Sequence, residues 1–397
     1  MIDGGDGRDD LSGGSGDDTV HGGGGNDVVR GYRGDDTVFG DAGNDIVTGG
    51  QGEDTLYGGE GNDDLRGGED DDTLHGGDGD DRMDGDKGND VVYGGGGNDT
   101  ILDSDSDANI LNGGDGDDTL YTRSFGSTLN GDAGDDRLYG EATMNGGSGD
   151  DHLSGVGILN GGTGNDLLVG SGELDGGDGA DVLALDDSYR GNTKEDGQVN
   201  TLRGGAGDDM LILNSDDLPE DSVVAYGGSG ADTFVLDHEG SPQVPEIHDF
   251  DPAEDTLFID TPRALPDPGA VRVEDWPDGT GADVYLGDTL VAKVTGAAGL
   301  DPDTVVLGVP DLPWNETLVG TGGDDTLYGG AGHDTLEGGN GDDRLSGSDG
   351  DDLLDGGEGD DTLIGGNGQD LMLGGDGNDL LVSKGTGSSM LDGGGGR

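Results

Sequence analysis

GGSGDDTVH, residues 13–21, is followed without a gap by GGGGNDVVR (22–30) and GYRGDDTVF (31–39). Each nonapeptide pairs a glycine-rich half with an aspartate and one isolated apolar residue. From Gly4 to Leu102 the chain is eleven such units of the form G-G-x-G-x-D-x-U-x, with U apolar. A fixed short period of this kind marks a solenoid, in which each unit buries its apolar residue only by stacking on its neighbours.

Position six is aspartate in all eleven units: Asp9, Asp18, Asp27, Asp36, Asp45, Asp54, Asp63, Asp72, Asp81, Asp90 and Asp99. Position eight is Leu, Val, Ile or Met throughout. A second block, Gly320 to Val382, holds seven further units with Asp325, Asp334, Asp343, Asp352, Asp361, Asp370 and Asp379. Between the blocks, copies beginning at Gly113, Gly131, Gly146, Gly161, Gly176, Gly204 and Gly227 supply Asp118, Asp136, Asp151, Asp166, Asp181, Asp209 and Asp232. Those at 131, 146 and 161 are each followed by a six-residue unit such as GEATMN or GVGILN, so the local period is 15 and one side of the coil is shortened.

Composition agrees with this reading. Gly is 93 of 397 residues, about three times the usual ~7% share. Asp plus Glu outnumber Lys plus Arg by 90 to 17, for a net charge of −73. That balance excludes a phosphate-backbone partner, so nucleic acid is not expected, and points to cations. With no Cys there are neither disulfides nor thiolate sites. There is no run of 18 apolar residues to span a membrane, and the first residues do not read as the basic and apolar regions of a secretory signal peptide.

The x-U-x triplet reads as a short strand with U inward, and the six glycine-rich residues read as the turn. Two nonapeptides make an 18-residue coil, and coils stack about 4.8 Å apart. Aspartates one coil apart, such as Asp18 and Asp36, then face each other at about 5 Å. Their repulsion is roughly 1 kcal/mol in water and several times that when shielded. One apolar side chain per repeat, ~1.5–3 kcal/mol, does not offset backbone ordering of ~1–2 kcal/mol per residue. The chain is therefore expected to be unfolded without a counter-ion. Carbonyl-lined turns with one Asp each suit Ca2+, which takes six to eight oxygens in irregular geometry; Mg2+ demands a tighter octahedron, and Zn2+ prefers His or Cys.

On these repeats the chain resembles the RTX (repeats-in-toxin) family. The resemblance implies an all-β fold, a right-handed parallel β-roll or β-solenoid, with Ca2+ between turns 18 residues apart. It pairs Asp9 with Asp27 and Asp18 with Asp36, nine such pairs in the first block and five in the second. Turn glycines such as Gly13, Gly14, Gly16, Gly22, Gly23 and Gly25, and Gly329, Gly330 and Gly332 in the second block, would lend carbonyls. The 15-residue spacing at Asp136, Asp151 and Asp166 departs from the family pattern. IHDFDPAEDTLFID (247–260) looks like the segment that follows RTX arrays in secreted bacterial proteins. Family members are exported unfolded through a type I channel and fold outside the cell, so an extracellular location is expected.

The expected organisation is a β-roll over 1–112, irregular repeats over 113–235, a small antiparallel β module over 236–316, and a second β-roll over 317–397. The third segment holds ten of the eleven prolines, both tryptophans and only eight glycines. Within it VRVEDW (271–276) reads as a strand and 282–294 as a hairpin turning at Gly287-Asp288.

Alternate repeats of the first block are ordered on one outer face. Position nine runs His21, Phe39, Tyr57, His75, Tyr93, and position seven runs Thr19, Thr37, Thr55, Thr73, Val91. The opposite face, Ser12, Arg30, Thr48, Arg66, Asp84, shows no such order. The ladders read first as cross-strand stabilisation, and second as a flat face for glycan or ice. Outward Leu371, Leu373, Leu380 and Val382 read as a patch covered by further chain, a cap or another protein chain.

Catalytic motifs are not found: no H-E-x-x-H, G-x-S-x-G or phosphate loop occurs. DSDSDANILNGG (103–114) starts like an EF-hand loop but has Ala108 and Gly114 where Gly and Glu belong. A non-enzymatic calcium-binding protein is expected. The alternatives are an adhesin segment, or the C-terminal accessory region of a secreted protease, lipase or alginate epimerase.

Overall fold

The computed structural model describes residues 1–103, 107–185, 199–213, 222–237, 244–260, 271–287, 289–308, 317–319, 326–350, 352–359, 361–375, 377–383 and 390–392. Among them the protein is built from β-strands, with one 3-10 turn at Pro302–Thr304 and no α-helix. It forms two units, Met1–Leu307 and Gly308–Arg397.

Up to Thr128–Ala133, successive strands of the first unit pair not with each other but with the next strand but one. Thr19–Gly24 pairs in parallel with Thr37–Ala42, and Val28–Arg33 pairs with Ile46–Gln51. Each coil thus contributes one strand to each of two parallel stacks, as a β-roll requires. The strands are six residues long rather than the three expected. Pairing runs on through Gly23 and Gly24, opposite Asp41 and Ala42, because the position-two residue takes a positive φ (+102° at Gly23) and keeps the chain extended. The true turn is therefore only three residues, such as Gly25-Asn26-Asp27.

The apolar residue at position eight points inward from every strand. Val20, Val29, Val38, Val47, Leu56 and Leu65 are fully buried and begin one continuous core that extends to the end of the unit. Each fully buried side chain of this size contributes ~1.5–3 kcal/mol.

The 15-residue coils arise where one turn is replaced by extended chain. Arg137–Ser148, His152–Thr163 and Leu167–Asp178 are single twelve-residue strands that pair in register from end to end. The first half of Arg137–Ser148 continues one stack and its second half the other, through Thr119–Tyr121 and Thr128–Ala133. These coils keep one sharp turn and lose the second.

The stretch 236–316, read from the sequence as a separate module, contributes to the same sheet. Glu246–His248 and Thr256–Asp260 extend the two stacks in parallel, burying Ile247, Leu257 and Ile259 in the common core. The strand Val271–Asp275 and the hairpin Gly281–Leu286 with Thr289–Thr295 are antiparallel, turning at Gly287 (φ +61°); Asp288 lies outside the described residues. Thr289–Thr295 in turn pairs with Glu246–His248. The repeat signal fades here because longer connections replace the glycine turns while the inward apolar residue stays.

The second unit repeats the architecture on a smaller scale, with two parallel sheets of five and four strands and a core of Leu327, Leu336, Leu345, Leu354, Leu363 and Met372. Of its outward apolar residues, Leu380 is 57% exposed, whereas Leu371, Leu373 and Val382 are half-buried. Among the described residues no helix is long and apolar enough to cross a membrane.

Candidate cation sites along the turn edges

Among the described residues, the position-six aspartates close three-residue turns and are turned into the coil. Asp27 through Asp99 are at most 3% exposed. One carboxylate oxygen, Oδ1, accepts the backbone N–H of the position-six residue one coil earlier. On the edge beginning at Asp9 this ladder runs through Asp27, Asp45, Asp63, Asp81, Asp99, Asp118, Asp136, Asp151, Asp166, Asp181, Asp209 and Asp232 at 2.7–3.1 Å. It ends at Asp255, whose Oδ1 accepts from Asp232 at 3.1 Å. On the other edge it runs from Asp18 through Asp36, Asp54 and Asp72 to Asp90. There the acceptors become Asn109 and then Ser127.

The other carboxylate oxygen decides what the site is for. Oδ2 of Asp27, Asp36, Asp45, Asp54, Asp63, Asp72, Asp81 and Asp99 is buried with no hydrogen-bond partner. A buried carboxylate oxygen left without a donor is costly, and a native fold does not repeat it at every coil without a compensating ligand. The position-one glycine of the same repeat faces that oxygen. A Cβ at Gly22 would lie 2.7 Å from Asp27 Oδ2 and 2.5 Å from the carbonyl oxygen of Gly40, one coil on. At Gly13 the same two neighbours, Asp18 Oδ2 and Gly31 O, are at 3.1 and 3.0 Å. Carboxylate and carbonyl oxygens therefore share one small space per half-coil, which only glycine leaves open.

The donor set is all oxygen. Among the described residues no three His, Cys, Asp or Glu side chains converge on a point. A cation here would take its remaining oxygens from backbone, which suits a hard ion with irregular coordination, Ca2+ over Zn2+. Electrostatics agree. Burial pushes the carboxyls up, to about 6 at Asp54, about 7 at Asp63 and about 8 at Asp72; stacked carboxylates add to the shift and the backbone N–H opposes it. Asp99 and Asp136 also reach about 7, and Asp118, Asp151, Asp166, Asp181, Asp209 and Asp232 about 6, again chiefly through burial. A divalent charge beside such groups favours their ionised form.

The remaining turn glycines act through backbone. Gly14 and Gly23 take φ of +109° and +102°, and Gly16 and Gly25 +92° and +129°. The N–H groups of Gly16 and Gly25 donate to the carbonyls of Arg33 and Ala42 in the next coil. In the second unit Gly329 and Gly330 lie within Thr326–Ala331, and Gly332 follows in the turn at φ +121°. The acidic ladders recur there from Asp334 to Asp352 and Asp370, and from Asp343 to Asp361 and Asp379. Asp325 lies outside the described residues.

A second, exposed ladder runs the opposite way. Position-five side chains accept the N–H of position five one coil later, as in Asp17 from Asp35, Asn26 from Asn44 and Asp35 from Glu53, at 3.1–3.3 Å. Every internal coil is thus tied to both neighbours at each acidic turn.

Three features escape a reading by period alone. Asp255 extends the acidic edge without a glycine turn, although EDTLF (254–258) repeats the EDTLY of 53–57. Asn109 and Ser127 stand at aspartate positions on the second edge, displaced by a one-residue insertion that makes the Asp90-to-Asn109 spacing 19. In the EF-hand-like stretch, of which 104–106 lie outside the described residues, Ile110–Asp115 is a strand and buried Asp103 accepts from Thr122 Oγ1 at 2.5 Å.

On the outer face His21, Phe39, Tyr57, His75 and Tyr93 form one column, with ring centroids 4.3–4.9 Å apart and planes within 6°. The rings cover one another's faces, so the surfaces on which a sugar would stack are already used. The file continues as an amide ladder, Asn112, Asn130, Asn145 and Asn160, at 2.7–2.8 Å.

A family model described as RTX calcium-binding nonapeptide repeat matches residues 3–38, 30–65, 39–74, 66–101, 103–124, 123–142, 196–217, 315–345 and 346–381, together more than half of the chain. No curated protein matches it.

Proposed function

Since the chain belongs to the RTX calcium-binding nonapeptide repeat family, we propose that it is a calcium-binding β-roll that orders outside the cell and performs no chemistry of its own. The observation that carries this reading is the row of buried Oδ2 atoms, each facing a glycine carbonyl of the neighbouring coil. Bound Ca2+ would supply positive charge and accept these oxygens as ligands. The chain's own residues do the rest. The aspartates bring the oxygens together, the position-one glycines keep the space open, and the position-eight residues hold the coils in register.

Its location follows from the same physics. At sub-micromolar Ca2+ inside a cell the acidic edges repel and the chain stays unfolded; at extracellular levels of ~10⁻³ M, in the range of weak extracellular calcium modules, the coils stack. Such a chain suits export in the unfolded state and folding after release.

The test is a Ca2+ titration of the metal-stripped chain, followed by far-UV circular dichroism and hydrodynamic radius. The expected result is a cooperative gain of β signal with compaction, reversed by chelator. Absence of both by ~10 mM Ca2+ overturns the reading.

A further inference from the structure

The two turn edges of the first unit are not equivalent. On the edge that begins at Asp9, an aspartate precedes every described strand as far as Asp255. On the edge that begins at Asp18, the same place after Asp90 is held by Asn109, Ser127, Ala142, Gly157, Gly172 and Asn200. We propose that beyond residue 113 the first unit holds its cations in a single file along one edge, through the three 15-residue coils to Asp209. The other edge is closed to cations after Asp90. This rests on the calcium reading above and extends it to coils that the family model does not match, 143–195.

The 15-residue coils meet every condition met in the 18-residue ones, but on one side only. Asp151, Asp166 and Asp181 are at most 2% exposed, and each has a buried Oδ2 without a partner. A Cβ at Gly146 or Gly161 would lie 2.6 Å from the carbonyl oxygen of Gly161 or Gly176, one coil on. The ladder bonds Asp136 to Asp151, Asp151 to Asp166 and Asp166 to Asp181 are all 2.8 Å. Coil length does not disturb the oxygens, because the residues removed come from the opposite side.

On the opposite side neutral residues take over the ladder. Asn109 accepts from the Asp90 N–H, and Ser127 Oγ accepts from the Asn109 N–H at 3.0 Å. Asp103 nearby is engaged by Thr122 Oγ1 and, at 3.4 Å, by Ser127 Oγ, which also reaches the Asp107 carbonyl at 3.5 Å. Farther along, Asn200 Oδ1 accepts from the Gly172 N–H at 3.0 Å, so the neutral edge keeps the hydrogen-bond ladder in part without its charge.

The experiment counts bound Ca2+ on the full chain by equilibrium dialysis with radioactive calcium. Hydrogen exchange is followed in parallel on peptides from 146–178 and from 13–90. Asp151→Asn with Asp166→Asn should remove three ions, one for each of the pairs 136/151, 151/166 and 166/181. Calcium-dependent protection should then be lost over 146–178 and kept over 13–90. Asn109→Asp should add one ion beside Asp90. An unchanged count in the double variant, or 146–178 equally protected with and without Ca2+ in the unaltered chain, overturns the single file. An unchanged count in Asn109→Asp overturns closure of the second edge. If the unaltered chain binds no Ca2+ at all, the calcium reading itself fails, which the first dialysis reveals before any variant is made.

Discussion

Gly40→Ala adds one carbon to a coil that has no room for it. The new Cβ would stand 2.6 Å from Asp45 Oδ2 and 2.6 Å from the carbonyl oxygen of Gly58 in the next coil. A carbon–oxygen contact is comfortable from about 3.3 Å, so the two coils must part locally by roughly 0.7 Å. Backbone cannot swing aside as a side chain can. The ladder bond from the Asp45 N–H to Asp63 Oδ1, now 2.7 Å, would stretch to roughly 3.4 Å and lose most of its strength. A bond to a charged acceptor is worth ~1.5–3 kcal/mol, and overpacking of this kind costs ~1–3 kcal/mol, so a loss of ~2–3 kcal/mol is expected. That corresponds to roughly 30–150-fold in the folding constant. Gly96 is the control, since a Cβ there meets nothing within 4 Å, and Gly96→Ala should stay within ~0.5 kcal/mol. Both variants are compared by urea unfolding at saturating Ca2+ and by the midpoint of the Ca2+ titration. If Gly40→Ala matches Gly96→Ala in both, coil spacing is not set by the position-one glycines and the proposed site geometry is wrong.

Other expectations follow from the same geometry. Without Ca2+ the chain should gain β structure as pH falls from 9 towards 5. Burial raises Asp63, Asp99 and Asp136 to about 7 and Asp72 to about 8. Groups raised above their unfolded value near 3.9 stabilise the fold fully below that pH, and the contribution disappears as pH climbs through 6 to 8. Circular dichroism on metal-stripped protein checks this, and β signal falling on acidification would contradict it. Asp63→Asn should stabilise the metal-free coil yet reduce the stabilisation gained from Ca2+, measured as paired melts with and without the ion; equal loss in both would make the carboxylate merely structural. Tyr57→Ser breaks two ring stacks at 4.8 Å, so ~1–3 kcal/mol of stability should be lost, while Ca2+ stoichiometry stays as it was.

Much of this molecule was legible because period and chemistry coincide. Glycine, aspartate and one apolar residue recur in phase from Gly4 to Leu102, and the inward Val20-to-Ile101 core and the outward His21-to-Tyr93 column follow from alternation alone. What stayed hidden lies where phase slips. Asp255 has the aspartate and the apolar residue but lacks the glycines, and Asn109 stands 19 rather than 18 residues after Asp90. The twelve-residue strands were visible only as a shortened unit, since nothing in GEATMN says that it continues the strand before it. Nor does the order of ring-bearing residues reveal that the rings would cover each other.

The two oppositely directed ladders at positions five and six have a further consequence. Each coil is coupled to its immediate neighbours and to little else, as in a one-dimensional chain of beads, so disorder enters at boundaries rather than everywhere at once. Within one unit, partial loading would leave a run of stacked coils joined to unstacked ones, with the junction moving coil by coil as calcium activity changes. What varies with calcium is then an extent, the number of coils stacked in a row, rather than a fraction of molecules folded.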